Sequence, residues 1–324
     1  MTAGRYQIGV DVGGTNTKLA VLDTAGEIVA KTLIPTHAHE GHDRVLERIV
    51  TAIKEIAGQV SDDEVGSVGI GVPGEVYMET GHVRDLPNLP GRWSDVPVTA
   101  TIEAATGYPA YLINDVRAFT VAESEIGAAK GADTALFLAV GTGIGGGVVA
   151  HGQTLFGLGG AAGEIGHIIV VANGARCGCG NRGCVETLAS GPAIIAEANR
   201  RIAQGFTTSL HDLCGGDLSK MTPEIVVQAA AAGDKNALEV LEQAGYYLGL
   251  AVAGAIALVA PEVVVIGGGV AQPGGIYWRT CEATARAHSH VTEIEQIAFR
   301  PPVFGYDAGV IGAARWGGKQ VGRR

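Results

Sequence analysis

A cluster of cysteines is the segment of this chain with the clearest chemistry. Three of the five cysteines fall within eight residues, at Cys177, Cys179 and Cys184, and His167 lies just upstream. Thiolates and imidazole suit tetrahedral zinc, and the glycines between the cysteines permit the tight turns that such a site needs. Four protein ligands leave no position for a reactive water, so the sequence predicts a structural zinc site.

Two glutamates, Glu164 and Glu186, flank this cluster. The simplest interpretation is surface charge, but both lie in stretches of small, apolar or metal-binding residues. Carboxylates accept hydrogen bonds from adjacent hydroxyl groups, which suits them to a polyol. His167 has three open interpretations, as a zinc ligand, a substrate ligand or a buried core histidine, and the nearby cysteines favour a ligand. A metal between the glutamates would fix where both carboxylates point.

Two strand–glycine turn–strand units, one in each half of the chain, are candidate phosphate sites. They contain Gly13, Gly14 and Thr15, and Gly141, Thr142 and Gly143. Backbone N–H groups that no Cβ obstructs can approach phosphate oxygens. Each turn alone could be an ordinary glycine-rich hairpin, but the pair forms a weak internal duplication. Residues 141–146 match G-x-G-x-x-G, yet strand-like residues follow where a dinucleotide site needs a helix.

Further residues near these turns extend the nucleotide prediction. Asp11 precedes the first turn and could hold Mg²⁺ directly or through water. Lys18 could add a positive charge or remain solvated. An apolar strand ends in Gly267, Gly268 and Gly269, where an adenine or ribose could lie against the backbone or the chain could simply turn.

Composition limits the class of partner. The net charge is −10, and no run of basic residues stands out except the terminal Arg323-Arg324, which disfavours nucleic acid. An odd number of cysteines with three clustered indicates a reducing compartment, and no apolar signal segment opens the chain, so we expect a cytoplasmic protein. The apolar stretch 246–261 is shorter than a typical membrane span and predicts a buried core helix.

Apolar periodicity predicts two α/β halves. In the first half, strands are expected at 6–10, 18–22, 28–34, 67–72 and 110–114, with helices at 43–58, 96–106 and 116–126. In the second half, strands are expected at 134–140, 147–150, 168–171, 263–266 and near 297–299. Helices dominate from 190 to 258, and the tail from 307 to 316 is helical.

These features together resemble the ROK family (repressors, open reading frames, kinases), which has the actin-like ATPase (ribonuclease H-like) fold. The cysteine segment combined with Gly163-Glu-Ile-Gly-His167 is the most specific match. The other matching segments, in chain order, are Asp11-Val-Gly-Gly-Thr15, Gly71-Val-Pro-Gly74, Asn114-Asp115, Gly141-Thr-Gly-Ile-Gly-Gly146 and Ile266-Gly-Gly-Gly269.

The resemblance implies two α/β domains around a cleft that holds a sugar. Residues 1–116 and 307–324 would form the N-terminal domain, and 117–306 the C-terminal domain with the zinc-binding loop. It implies an ATP-dependent hexose kinase, most similar to bacterial glucokinases, that acts in glycolysis with ATP, Mg²⁺ and structural Zn²⁺. It also implies a homodimer or higher homo-oligomer without nucleic-acid or membrane partners.

The resemblance also implies roles for single residues. Asp115 would be the general base, and the sugar would be bound by Asn88, Asn114, Asp115, Glu164, His167 and Glu186. From the residues alone, an Asn-Asp pair at a strand end would more often be a helix cap. The chain departs from the family pattern at Pro90-Gly91-Arg92, which changes the spacing from Asn88 to Trp93, and at Glu75-Val-Tyr77.

Several alternatives remain open at this point. The sugar could be mannose, fructose, allose, N-acetylglucosamine or N-acetylmannosamine, and the donor could be polyphosphate or ADP. A sugar-responsive regulator is a second class, but repressors of the family place a helix-turn-helix before the first glycine turn, which here starts near residue 11. An actin-like filament protein is a third class, in which the cysteine cluster has no obvious use.

Overall fold

A computed structural model describes residues 4–61, 64–86, 89–90, 93–290 and 292–321 of the chain. These residues form two compact units. The first comprises Met1–Gly131, Thr154–Ala162 and Val303–Arg324, and the second comprises Ala132–Gln153 and Gly163–Pro302. The alternation of apolar strands and amphipathic helices gives each unit its own sheet and its own apolar core.

The first unit is built on a five-stranded sheet. Its strands are β1 (Tyr6–Val12), β2 (Asn16–Leu22), β3 (Ile28–Pro35), β4 (Val65–Val72) and β7 (Ala110–Asn114), in the spatial order β3-β2-β1-β4-β7. The first three strands are antiparallel, whereas β4 runs parallel to both β1 and β7. The carboxyl ends of β1, β4 and β7 therefore meet at one edge of the sheet.

Four helices and a hairpin complete this unit. The helices are α1 (His42–Ala57), α2 (Val98–Thr106), α3 (Asp115–Glu125) and α10 (Ala308–Gln320), and the hairpin pairs β5 (Glu75–Tyr77) with β6 (His82–Asp85). The domain boundary expected at residues 116–117 falls inside α3. The structure keeps α3 in the first unit, where it packs against α10 through the close approach of Gly312 to Ala118.

Helix α10 approaches strands β1 and β4 closely because glycines face it. A Cβ built on Gly9 would lie 2.0 Å from the carbonyl oxygen of Val310, and one on Gly69 would lie 1.7 Å from that of Ala313. No side chain fits at these distances, so the glycines set the separation between helix and sheet.

We expect Gly69→Ala to destabilise the protein by about 3 kcal/mol, because the methyl group would push helix α10 off strand β4. Gly71 is the matched control, since it lies in the same strand and its Cβ would meet ordinary neighbours at 3.6 Å or more. Thermal unfolding of both variants measures the effect. Equal melting temperatures for Gly69→Ala and Gly71→Ala would contradict this account of the packing.

The second unit contains another five-stranded sheet. Its strands are β8 (Ala135–Val140), β9 (Ile144–Ala150), β10 (Gln153–Thr154), β11 (Val263–Gly267) and β12 (Ala298–Arg300), in the order β10-β9-β8-β11-β12. Strands β8 and β9 are antiparallel, whereas β11 runs parallel to β8 and β12. The helices are α4 (Glu186–Ala189), α5 (Gly191–Ala203), α6 (Leu210–Leu213), α7 (Pro223–Ala231), α8 (Lys235–Val259) and α9 (Ile276–Ala287).

Helix α8 contains most of the apolar stretch at 246–261. Among the described residues, it is the one helix long and apolar enough to cross a membrane, and 61% of its most apolar window is buried. Gly245 and Gly249 on α8 approach backbone carbonyls of α9 closely. This is the pattern of a core helix packed against its neighbours, as the sequence predicts.

Most expected elements are present, one expected strand is wrong, and short elements such as β10 are not anticipated. The strand expected at 168–171 is wrong: a 3₁₀ turn covers Ile165–His167, and a single bridge joins Ile169 to Cys184. The N–H groups of Val170 and Val171 both donate to the carbonyl of Gly183, so no ladder can extend there. The hairpin of β5 and β6 is not anticipated by the sequence pattern. Other short 3₁₀ turns lie at Ala38–Glu40, Leu158–Gly160, Leu218–Lys220, Ile294–Gln296 and Gly305–Asp307.

Candidate functional site

Asn114 and Asp115 lie where β7 ends and α3 begins, at the sheet edge of the first unit. The Asn114 Oδ1 atom accepts hydrogen bonds from the N–H groups of Val116 at 3.0 Å and Arg117 at 3.2 Å, and Nδ2 donates to the Gly74 carbonyl at 3.0 Å. Asn114 is therefore the N-cap of α3, as the residues alone suggest. One amide hydrogen is left to donate to a ligand.

The carboxyl group of Asp115 has a strongly perturbed pKa. Burial and, second, the negative charge of Asp11 raise the pKa of Asp115 to about 6, against the opposing effects of the Val116 N–H and the Arg117 charge. The Val116 N–H donates to Asp115 Oδ1 at 2.8 Å. A carboxylate with a pKa near 6 is still ionised at pH 7 and is a stronger base than an ordinary aspartate, which suits proton abstraction.

Asp11 lies near the end of β1, at the same sheet edge. A Cβ on Gly309, in the first turn of α10, would lie 2.7 Å from Asp11 Oδ2, so the carboxylate lies against the start of that helix. Burial raises the pKa of Asp11, and the charge of Lys18 opposes this shift. Asp11 and Asp115 together place two carboxyl groups at one edge, which is the arrangement that a divalent cation would neutralise.

Lys18 is buried, with 3% of its surface exposed. Its Nζ lies 3.4 Å from Asp307 Oδ1 and 3.3 Å from the centroid of the Tyr306 ring, and it donates to the Tyr306 carbonyl. Burial lowers the pKa of Lys18, while the charges of Asp11 and Asp307 oppose the shift. Lys18 thus joins strand β2 to the segment before α10 and balances two carboxylates, and its contact with phosphate stays a prediction.

The first glycine turn is held by a hydrogen bond within the turn and by hydrogen bonds from Thr36, which follows β3. Gly13 N–H donates to the Asn16 carbonyl at 3.0 Å, and Thr36 donates its N–H to the Thr15 carbonyl at 2.8 Å and its hydroxyl to the Gly13 carbonyl at 2.7 Å. Gly14 and Thr15 are exposed at the tip. The turn is thus rigid at its base and open at its tip, which is suitable for a phosphate.

Two glycine segments of the second unit lie side by side because β8 and β11 are neighbours. Gly141, Thr142 and Gly143 follow β8, and Gly267, Gly268 and Gly269 end or follow β11. Gly268 has φ +122°, and a Cβ on it would lie 1.8 Å from the Val140 carbonyl oxygen. The carbonyl of Gly141 accepts from the N–H of Gly191 at 2.9 Å, at the start of α5. Glycine backbone and a helix N-terminus together suit a nucleotide phosphate.

The cysteine cluster has the dimensions of a zinc site. One ligand atom each from His167, Cys177, Cys179 and Cys184 lies within 4.8 Å of the others. The Cys177 sulfur is 3.6 Å from His167 Nδ1, and the sulfurs of Cys179 and Cys184 are 3.7 Å apart. Ligands of tetrahedral zinc at about 2.3 Å from the metal are separated by roughly 3.5–3.8 Å. The donor set and its spacing fit a structural zinc ion.

Glu186 connects this cluster to the glycine turn after β8. Its Oε2 accepts from the N–H of Ile144 at 3.0 Å, and its Oε1 lies 3.6 Å from the Cys177 sulfur. Glu164 is exposed and precedes the 3₁₀ turn that carries His167. The structure therefore brings Glu186, the cysteine cluster and one glycine turn together. Asn88 lies outside the described residues, and its neighbour Leu89 is buried.

Arg117 is a residue of this region that sequence reasoning misses. It is 1% exposed, and its Nε donates to the Gly160 carbonyl at 3.2 Å. Its charge lowers the pKa of Asp115, against the effect of burial. The available signal is that Arg117 is the one basic residue of α3 and is followed by small and apolar residues, which indicates a buried and paired guanidinium. Asp307, the partner of Lys18, is signalled only by its place before the last helix.

Comparison with known proteins identifies relatives along most of the chain. The sequence profile of the ROK family matches residues 7–320. A glucokinase from Halalkalibacterium halodurans is 38% identical over 314 residues, which cover 95% of this chain and 93% of that protein.

Two solved structures are similar throughout. A ROK family glucokinase from Streptomyces griseus, in complex with glucose and AMPPNP, has a TM-score of 0.83 and 29% identity, covering 97% of this chain and 99% of that chain. A ROK family transcriptional regulator, a homolog of the E. coli MLC protein, has a TM-score of 0.86 and 32% identity, covering 98% of this chain and 78% of that chain. The fold is thus shared by kinases and regulators.

Proposed function

This chain belongs to the ROK family, with the actin-like ATPase fold, and on that premise we propose that it is an ATP-dependent hexose kinase whose principal substrate is glucose. The glucokinase that is 38% identical over nearly the whole chain supports the choice of glucose. The observation that carries the kinase proposal is Asp115, a carboxylate with a pKa of about 6 that follows the carboxyl end of β7, at the same sheet edge as Asp11.

In this reaction Asp115 takes the proton of the sugar 6-hydroxyl while that oxygen attacks the γ-phosphorus of ATP. The bond from the γ-phosphorus to the β,γ-bridging oxygen breaks, and the products are ADP, hexose 6-phosphate and one proton. Phosphoryl transfer needs this base and the neutralisation of charge on the phosphates. We assign the role of base to Asp115. Charge neutralisation on the phosphates is assigned to the glycine turns and to a Mg²⁺ ion that Asp11 would hold.

The glycine turns bind the nucleotide in this proposal. Gly13, Gly14 and Thr15 in the first unit and Gly141, Thr142 and Gly143 in the second offer backbone N–H groups to phosphate oxygens. Gly267, Gly268 and Gly269 present a flat backbone to the nucleoside. The support is the exposure of the tips, Gly14, Thr15 and Thr142, at turns whose bases are fixed by hydrogen bonds.

The zinc ion acts in this proposal as a brace for sugar-binding residues. A zinc ion held by His167, Cys177, Cys179 and Cys184 would hold the segments of Glu164 and Glu186 together, because Glu164 precedes His167 by three residues and Glu186 follows Cys184 by two. Glu164, Glu186 and the free nitrogen of His167 then accept or donate hydrogen bonds at hexose hydroxyls, together with Asn88 and Asn114. Because the cluster needs reduced thiols, we place the protein in the cytoplasm, where we expect a homo-oligomer.

An assay of hexose phosphate formation tests the proposed function. The sugars are glucose, mannose, fructose, allose, N-acetylglucosamine and N-acetylmannosamine, each with ATP, and glucose is also tested with ADP and with polyphosphate as donor. We expect the highest kcat/KM with glucose and ATP. Glucose binding by calorimetry, with no product from any sugar or donor, would instead favour a sugar-responsive regulator. The similarity to the MLC homolog makes such a regulator the second candidate.

The pH dependence of the reaction follows from the Asp115 carboxyl. Only the ionised form accepts a proton, so kcat/KM should fall tenfold per pH unit below about 6, the pKa of Asp115, and level off above it. The measurement is kcat/KM for glucose from pH 5 to 8 with saturating ATP. A kcat/KM that stays level down to pH 5, as expected of an ordinary aspartate with a pKa near 4, would contradict this assignment.

A further inference from the structure

A second set of metal-binding side chains lies in the first unit, on the surface before α1. One ligand atom each from His37, His39 and Glu40 lies within 4.8 Å of the others, and all three residues are exposed. We propose that these residues form a binding site for a divalent transition-metal ion such as Ni²⁺ or Zn²⁺. The site is separate from the cysteine cluster and does not depend on the proposed kinase activity.

The backbone explains why the three side chains converge. His37 has φ 46° and ψ 48°, a left-handed conformation, and a 3₁₀ turn follows at Ala38–Glu40. Ala38 is 4% exposed and anchors the turn in the core, while its neighbours on both sides point outward. The rings of His37 and His39 lie with their centroids 5.8 Å apart. The two imidazoles and the carboxylate therefore occupy one face of a single turn.

Arg48 of helix α1 holds this turn in place. Its guanidinium donates to Glu40 Oε2 at 2.7 Å, to the Thr36 carbonyl at 2.8 Å and to the His37 carbonyl at 3.4 Å. Arg48 contacts the Oε2 atom of Glu40, so the Oε1 atom is left for a metal. Because the backbone is already ordered, metal binding need not order a flexible loop.

The donor set selects the class of ion. Two imidazoles with one carboxylate suit Zn²⁺, Ni²⁺, Co²⁺ or Cu²⁺, whereas Mg²⁺ and Ca²⁺ prefer sites made only of oxygen ligands. Three protein ligands leave coordination positions for water, as expected of an exposed site. Sulfur is absent from these three ligands, so an ion bound here differs chemically from one bound at Cys177, Cys179 and Cys184.

Titration calorimetry with NiCl₂ on the zinc-loaded protein tests the site. His37→Asn removes one imidazole but keeps a residue type that tolerates the left-handed conformation, and His39→Gln removes the other. We expect each variant to bind Ni²⁺ at least tenfold more weakly than the unaltered protein. His151→Gln is the matched control, because His151 is also an exposed histidine with a left-handed backbone and lies in the second unit.

Two results would overturn the proposal. One is unchanged Ni²⁺ affinity in both His37→Asn and His39→Gln. The other is Ni²⁺ binding that disappears in Cys179→Ser while the two histidine variants retain it, since the ion would then occupy the cysteine cluster. A melting temperature equal to that of the unaltered protein shows that a variant has kept its fold. Co²⁺ gives an independent readout, because an ion on His37, His39 and Glu40 produces no thiolate charge-transfer absorption.

Discussion

Asp115→Asn is expected to lower kcat for hexose phosphorylation by about 10²–10⁴-fold, the usual contribution of a positioned general base. The amide has nearly the same shape, and its oxygen can still accept the hydrogen bond that Val116 N–H donates to Asp115 at 2.8 Å. The hexose KM should therefore change much less than kcat. Steady-state kinetics with glucose and ATP, at a pH well above 6, measure both constants.

The stability of the same variant separates a lost base from a lost fold. The pKa of Asp115 is raised from 3.8 to about 6 in the folded protein. The folded state therefore binds the proton more tightly than the unfolded state, and this carboxyl lowers stability progressively as pH rises from about 4 to 6. Removing the charge should stabilise the fold at pH 8 by about 1–2 kcal/mol, after allowance for the partial exposure of Asp115.

A higher melting temperature together with a lower kcat is thus the expected signature of Asp115→Asn. The amide that replaces the carboxyl group carries no charge, so the stability of the variant should also depend less on pH between 4 and 6 than that of the unaltered protein. A kcat within tenfold of the unaltered enzyme would remove Asp115 from the role of base. A fall in both melting temperature and kcat would attribute the loss to folding.

Cys179→Ser is expected to have the second largest effect. Cys179 is the exposed member of the cluster, whereas Cys177 and Cys184 are buried, so its replacement disturbs the core least. Loss of one thiolate should release the zinc, and the segment that holds Glu186 should then lose its fixed position. We expect a 10–100-fold loss in kcat/KM for glucose, the usual range when support of a metal site is removed. Zinc content by elemental analysis and kinetics on one sample test this together.

Cys214→Ser is the control for this experiment. Cys214 is also a free cysteine of the second unit, it donates its thiol to the His211 carbonyl at 3.2 Å, and serine can keep that hydrogen bond. Zinc content and kinetics should be unchanged in this variant. Zinc lost from Cys179→Ser with normal kcat and KM for the sugar would refute the brace, although the kinase assignment through Asp115 would stand.

The sequence predicts the elements around the site better than the interactions inside it. Strand β7 is predicted with the bounds that the structure gives, because it is a short apolar run between polar turns. The strand expected at 168–171 is wrong, because the same kind of short apolar run occurs in a segment whose backbone hydrogen bonds go to Gly183 of the cysteine loop. Local periodicity reports which side chains are apolar, but it does not report which backbone groups are available to pair.

The candidate site shows the same difference between what the sequence predicts and what depends on the tertiary structure. Residue types and spacing by themselves determined the family, and they predict the zinc ligand set and the two phosphate-binding glycine turns, because chain-local chemistry defines each of them. The cysteine cluster carried most of this information. It brings together ligands from residues only 17 positions apart, His167 to Cys184.

Only the tertiary structure decided the pKa values and the interaction partners of the site residues. The pKa of Asp115 depends on its burial and on Asp11, which is remote in sequence but lies at the same sheet edge. Lys18, assigned to phosphate from its position, is buried against Tyr306 and Asp307, nearly the whole chain away. Desolvation and Coulomb interactions act through space, so the protonation and pairing of these residues follow from the packing of strands and helices and not from their spacing along the chain.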